Sequence, residues 1–405
     1  ISECLVGSEM CIRDRNTANE STFRSWTPIG YLANSTFYSY NGIFDGAGNT
    51  ITGLYFKDDS KIRVGLFALN GGTIKNVNIA DSYFLGNYMV GGICGQNYYG
   101  NIETCNNNGS IVSGTGNYAG GVCGWNIGTV INCENAGDVY GGQSVGGVCG
   151  SIGYSSYEAS VKNCINRGKV TATADEVGGV SGGLTSGSLE TSYNTGNVQG
   201  ETDVGGVCGY QSNGSVVDSC YNTGNVTGTT TSTNGINGIV DGQNGIGGVC
   251  GYQSGSASNC YSTGSVICNA ADTTGDYVGG VCGAQYGTIK NCYYDTGKFT
   301  GKAIYTSTDS SQSVYVEGKT SEQFSNGVVA YLLNSRSAED SPVWYQKIDN
   351  SATPDTAPVL DSNHGTVYAS KPCPVKCSNT ENTVSAESQA HTFLSLIHIS
   401  EPTRH

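Results

Sequence analysis

Charge, histidine, proline and long apolar runs are all scarce in this chain of 405 residues. Only 13% of the residues are charged, and acids outnumber bases 33 to 19. Between residues 64 and 300 the balance is 15 acidic against 6 basic residues. Such a balance argues against nucleic acid and anionic membrane surfaces as partners. No apolar run is long enough to span a bilayer, so no membrane insertion is expected. Histidine occurs 4 times, and His364 and His391 are the two that precede residue 394. None lies between 64 and 300, and no CxxC pairing occurs there, which argues against a zinc site. Nothing is read as resembling HExxH, GxSxG or a phosphate-binding loop, and no cofactor is expected. With 61 glycines and little charge the chain could be disordered, but regularly placed valine and isoleucine argue for order.

One phrase fills that space. An aliphatic residue, two glycines and Val-Cys-Gly recur at Val90–Gly95, Ala119–Gly124, Val145–Gly150, Val177–Gly182, Val204–Gly209, Ile246–Gly251 and Val278–Gly283. A degenerate copy, Val64-Gly65-Leu66-Phe67, precedes them. The first glycines are spaced 26, 29, 26, 32, 27, 42 and 32 residues apart. A period in this range means stacked repeats. Short runs such as Gly128-Thr-Val-Ile-Asn-Cys133 are rich in β-branched residues, bounded by glycine, and lack helical periodicity. Two or three such strands per repeat predict an all-β, parallel β-solenoid of eight or nine coils, about 40 Å long at about 4.8 Å per coil.

Later in each repeat stand Asn107, Asn135, Asn166, Asn194, Asn222, Ser262 and Asp295, each two residues before a glycine. Short polar side chains suit a turn there, and in register they can form an amide ladder. Glycines 109, 137, 168, 196, 224, 264 and 297 are expected to take left-handed dihedrals.

Twelve of the 17 cysteines fall in six pairs: Cys94 with Cys105, Cys123 with Cys133, Cys149 with Cys164, Cys208 with Cys220, Cys250 with Cys260, and Cys282 with Cys292. The repeat at 177–200 has Ser181 and Ser192 instead. Joint loss suggests that the two positions touch within one repeat. Either each coil carries a disulfide, worth about 2–4 kcal/mol, or free thiols fill the lumen as small hydrophobes. Cys268 is left over from the six pairs, and Cys373 and Cys377 lie beyond the array.

The two ends are related through their DNA. Back-translation of Leu394–Arg404 and reverse complementation gives, in a shifted frame, Leu5–Asp14. Both resemble a library-preparation adapter, so residues 1–15 and 394–405 are read as translated adapter and set aside. Residues 16–393 are then an internal fragment. They divide into a lead-in at 16–63, the repeats at 64–300, a C-terminal cap at 301–371, and a linker or the start of another domain at 372–393. In the cap, Thr320 and Gln323 form a capping box, followed by Phe324, Val328 and Leu332 at helical spacing. One short helix is predicted, and with its tail it should cover the last coil.

The repeats resemble the GLUG-motif family. Val64-Gly-Leu-Phe-Ala68 is close to the pattern behind the name, and the later copies use Gly-Gly-Val-Cys-Gly. Trp26–Gly30, Gly42–Gly46 and Asn49–Leu54 before the array, and Phe324–Asn334, Trp344 and Pro358–Asp361 after it, are similar to the usual flanks. The resemblance implies a right-handed β-helix on a secreted or cell-surface bacterial protein, adhesin-like or accompanying extracellular enzymes. It carries no catalytic residues onto this chain.

The favoured function is therefore a non-catalytic extracellular scaffold, stalk or adhesion module, with surface glycans or proteins as partners. The alternative is a carbohydrate-binding or carbohydrate-degrading β-helix, which needs clustered carboxylates. Asp175-Glu176 is the one adjacent acidic pair in the repeats, and it reads as a solvated turn. Tyr193, Tyr221, Tyr261 and Tyr293 occupy equivalent positions. They form either a cross-coil stack or an exposed stripe for a glycan or protein.

Overall fold

The computed structural model describes residues 26–33, 36–109, 111–155, 157–229, 245–269, 277–307, 313–335, 342–348, 353–369 and 397–398. Residues 1–15, the adapter-like C-terminus apart from 397–398, and residues 372–393 with Cys373, Cys377 and His391 lie outside these.

The coil beginning at Val204 shows the plan. Its strands are Val204–Gly205, Cys208–Gln211, Val216–Asp218, Tyr221–Asn222 and Val226–Gly228. Each pairs in parallel with its counterpart in the next coil: Val204 with Ile246, Cys208 with Cys250, Val217 with Ala257, Tyr221 with Tyr261 and Val226 with Val266. The protein is thus an all-β parallel solenoid. Its cysteine row stacks nine strands, from Phe67 through Cys94, Cys123, Cys149, Ser181, Cys208, Cys250 and Cys282 to Ile304.

Columns of aliphatic residues fill the lumen. Val122, Val148, Val180, Val207 and Val249 are fully buried, as are Ile102, Val130, Val161, Leu189 and Val217. Each such side chain contributes about 1.5–3 kcal/mol on burial. No other residue fits where the two glycines stand. A Cβ on Gly205 would lie 1.9 Å from the carbonyl of Cys208. One on Gly206 would lie 2.1 Å from the carbonyl of Gly248 and 2.4 Å from Cγ of Asn222.

The Asn-x-Gly glycines differ from expectation. Of the seven, Gly109 alone has positive φ, at +90°. Gly168, Gly196, Gly224 and Gly264 are needed for close approach: a Cβ on Gly196 would lie 1.9 Å from the carbonyl of Gly168, and one on Gly224 equally close to that of Gly196. The left-handed corners are taken instead by the residue before the second cysteine of each repeat, or before Ser192: Asn132, Asn163, Thr191, Ser219 and Asn259, with φ between 44° and 55°. Asparagine tolerates that region better than most side chains.

The C-terminal segment contains two helices rather than one, α1 (Ser321–Ser325) and α2 (Val328–Ser335). The capping box forms as expected, with the Gln323 amide donating to Thr320 Oγ1 at 3.2 Å and the Thr320 amide to Gln323 Oε1 at 3.0 Å. Gly327, at φ +87°, then breaks the helix and shifts the buried face to Val328, Val329 and Leu333. The last coil is closed by Ile304–Ser307 and Ser313–Lys319, which pair with the coil before them. The helices and tail pack on Tyr221, Tyr261 and Tyr293 of the last coils, through Phe324, Val329, Leu333 and Trp344.

Candidate functional site

The tyrosine column stacks. Tyr193 and Tyr221 have ring centroids 4.5 Å apart at 10°, and Tyr221 and Tyr261 are 5.0 Å apart at 7°. These rings face protein, however. Trp344 lies 5.3 Å from the Tyr261 ring and 5.9 Å from that of Tyr221, and Phe324 lies 5.5 Å from Tyr261. Tyr261 donates its hydroxyl to the carbonyl of Pro358, and Tyr293 donates to Asn291 Oδ1 at 2.7 Å. Tyr221, Tyr261 and Tyr293 are buried with Val329, Leu333 and Trp344 in one cluster. Tyr193 is the half-exposed end of the stack, where Arg167 donates to its hydroxyl at 3.3 Å. The column is a seat for the C-terminal segment, so the exposed-stripe reading does not hold for three of its four rings.

The asparagines form the expected ladder as far as Ser262, but Asp295 is outside it: Ser262 pairs with Tyr294, and Asp295 accepts from Ser321 Oγ at 2.8 Å. Nδ2 of Asn107 donates to Oδ1 of Asn135 at 2.8 Å, and the chain continues through Asn166, Asn194 and Asn222 to Ser262. Every member is buried. A second ladder, missed in the sequence, joins Asn70, Asn97 and Asn126 at 2.8 Å per step. In the same register, later coils carry Ile152, Leu184, Gln211, Gln253 and Gln285. This change of residue type along the column hid it.

The twelve paired cysteines of the repeats are free thiols, and all are buried. The contacts run along each column from coil to coil: the Cys105 amide donates to Cys133 Sγ at 3.4 Å, and the Cys220 amide to Cys260 Sγ at 3.4 Å. At the serine coil, the Cys164 amide donates to Ser192 Oγ at 2.9 Å. Burial pushes the thiols of Cys94, Cys149 and Cys250 well above their ordinary range, which keeps them protonated and unreactive. We therefore expect alkylation of denatured, unreduced protein to label all twelve. Labelling that falls short by pairs would mean disulfides.

Asp175 and Glu176 are not a solvated turn. The Ser144 hydroxyl donates to Glu176 Oε2, and Thr202 Oγ1 donates to Asp175 Oδ1 at 2.6 Å. One coil further, Asp203 is 6% exposed and accepts the Gly245 amide at 3.1 Å. Burial raises the carboxyls of both Glu176 and Asp203, the latter strongly. A raised carboxyl favours the folded state when protonated, so stability falls as pH rises through its folded value. The chain should lose stability as pH rises above the ordinary carboxyl range, about 4, and Asp203→Asn should flatten that slope. A thermal melt series with an unchanged slope would refute this.

Contrary to the expectation that nothing resembles GxSxG, two stretches, Gly142–Gly146 and Gly179–Gly183, spell it. Both serines are spent on structure. Ser144 binds Glu176, and Ser181 is buried in the lumen donating to the Gly183 carbonyl at 2.8 Å. Neither sits on the strand-to-helix elbow that exposes a nucleophile. His364 lies in the C-terminal tail, with Nδ1 2.7 Å from Asp355 Oδ2. Among the described residues no group of three or more His, Cys, Asp or Glu could hold a metal.

One surface stands out from the repeat. Rings of Tyr88, Tyr118, Trp125 and Tyr154 follow one another at centroid distances of 5.2, 5.4 and 5.4 Å. Tyr154 bridges to Tyr157 through two backbone hydrogen bonds. Tyr157 then meets Tyr99 at 5.4 Å, and Tyr99 meets Tyr98 at 4.4 Å. Tyr99, Tyr154 and Tyr157 are 51, 52 and 49% exposed. Beside them runs a shallow cleft of about 490 Å³, with Tyr99, Glu158, Thr129, Ser160 and Ser188 in its lining.

These features define a class: a parallel β-solenoid whose coils are joined by side-chain ladders in the lumen. Its repeats carry the GLUG motif, whose family model matches residues 86–112 and 200–227. Both windows open at an earlier glycine, Gly86 or Gly200, and take in the glycine pair, the ladder asparagine, Asn107 or Asn222, and the valine that follows it, Val112 or Val226. No curated protein sequence matches the chain. A solved structure from Bacteroides ovatus, described as a putative immunoglobulin A1 protease, is similar at 16% identity and a TM-score of 0.39, covering 84% of this chain and 82% of its own.

Proposed function

We propose that the chain is a non-catalytic rod, the stalk or adhesion module of a bacterial cell-surface protein. One observation carries this reading: the residues with chemistry to offer are consumed by stacking. Cysteines fill the lumen, asparagines bond to asparagines, and the tyrosine column seats the tail. The acidic, weakly charged exterior suits a solvated spacer. A solenoid also sets distance, since each coil adds about 4.8 Å.

Two measurements test the proposal. Purified chain incubated with neutral and acidic polysaccharides, and with immunoglobulin A1, should leave all of them intact. Cleavage that disappears in Asp175→Asn/Glu176→Gln would overturn the non-catalytic reading. Recovery of the surrounding gene should reveal an export signal or a surface anchor, and a complete gene with neither would overturn the surface reading.

A further inference from the structure

The aromatic surface departs from the repeat at two insertions. The strand Cys94–Glu103 has a register shift between Tyr98 and Asn101, so Tyr99 is an extra residue, in a bulge at φ +61°. The next coil passes from Asn126 through Ile127 to Gly128 without it. The second insertion carries the antiparallel bridge between Tyr154 and Tyr157, within the 32-residue step between Gly146 and Gly178. These insertions come from neighbouring parts of the rod and place Tyr99, Tyr154 and Tyr157 in one patch, with Tyr99 and Tyr157 in contact. Bulges re-aim side chains, and insertions in repeat proteins gather on the binding face. Half-exposed rings held edge to edge gain nothing from lumen packing, and a patch of this kind marks an interaction surface.

The chemistry of the neighbouring cleft selects the occupant. Thr129, Ser160 and Ser188 stand in register on successive coils and present a row of short hydroxyl side chains beside Tyr99. Glu158 is the charged residue in the cleft lining, and no Lys or Arg lines it. An anionic ligand would meet a carboxylate in a chain of net charge −14. A ligand that offers apolar faces to rings and hydroxyls to a polar row, without negative charge, fits both halves. We propose that this patch and cleft bind a neutral oligosaccharide, with Tyr99 and Tyr157 stacking on sugar rings and Thr129, Ser160 and Ser188 meeting sugar hydroxyls. This gives the adhesion reading a ligand class and rests on that reading only for its biological setting.

The test is an array of neutral oligosaccharides (cello-, xylo-, manno- and malto-oligomers and N-acetylglucosamine oligomers), with hyaluronan, polygalacturonate and unrelated peptides alongside. The full chain should bind at least one neutral member, and titration should change the fluorescence of Trp125. Tyr99→Ala/Tyr157→Ala should weaken binding about tenfold or more, consistent with about 0.5–1.5 kcal/mol per aromatic contact. Tyr140→Ala, on another exposed face, should leave it unchanged. Circular dichroism and melting of the double variant should match the parent, because both rings are half exposed. No binding to any neutral member, unchanged binding in the double variant, or binding confined to anionic glycans or peptides would each overturn the site. Loss of the site would leave the rod intact, whereas cleavage of a bound glycan would refute the non-catalytic reading and keep the site.

Discussion

Replacing Asn194 with leucine should cost about 3–5 kcal/mol, far more than an ordinary surface change. Nδ2 of Asn194 donates to the Gly196 carbonyl at 2.7 Å and to Asn222 Oδ1 at 2.8 Å. Its Oδ1 accepts from Asn166 Nδ2 at 2.7 Å and from the Gly196 amide at 3.1 Å. All four of its hydrogen-bonding positions are used, and the side chain is fully buried. Leucine is close in volume, so the loss is electrical rather than a cavity. It strands a donor on Asn166, an acceptor on Asn222 and both backbone groups of Gly196. Each buried orphan costs about 1–3 kcal/mol, reduced where neighbours relax. A urea unfolding curve reads the effect. The outer Asn78, which accepts from Asn106 Nδ2 at 2.9 Å on a half-buried face, provides the contrast. Asn78→Leu should cost under about 1 kcal/mol, because water can replace its partner.

Gly206→Ala should be at least as damaging, at about 3 kcal/mol or more. The new methyl would have to share space with the Gly248 carbonyl at 2.1 Å and the Asn222 amide at 2.4 Å. Neither neighbour can yield. The first is backbone held in the ladder between coils, and the second is locked by Asn194 and by Gly224, whose carbonyl it meets at 2.8 Å. The substitution therefore separates two coils or breaks the amide ladder. Gly214→Ala is the control. Gly214 has no neighbour within 4 Å of a built Cβ, and its φ of +80° leaves only conformational strain. It should cost about 1 kcal/mol. Thermal melts of the two variants side by side distinguish crowding from a loss of backbone freedom.

The solenoid was legible because its signals are local and repeated. The spacing of Gly-Gly-Val-Cys-Gly marks the coils, and the recurring asparagine marks the ladder. Where the sequence misled, the cause was a contact between coils. Gly196 resembles a turn glycine, yet it is required by the carbonyl of Gly168 one coil away. Tyr261 resembles a surface ring until Trp344, far along the chain, is laid over it. Asp175 and Glu176 resemble a solvated turn until Ser144 and Thr202 of neighbouring coils close on them. The aromatic patch was illegible for the opposite reason. Its residues belong to insertions that break the period, and a reading built on periodicity discards them.

The central claim is that the recurring phrase is consumed in joining coils. Hydrogen exchange on the native chain tests it most directly. The amides of Val207 and Cys208 both donate to the carbonyl of Val249, at 2.9 and 3.0 Å, and those of Val148, Cys149, Val180 and Ser181 repeat the arrangement one coil after another. These amides should be the slowest to exchange, opening only with the whole stack, while Tyr154 and Tyr157 in the second insertion exchange faster. Phrase amides that exchange as fast as those two would contradict the account.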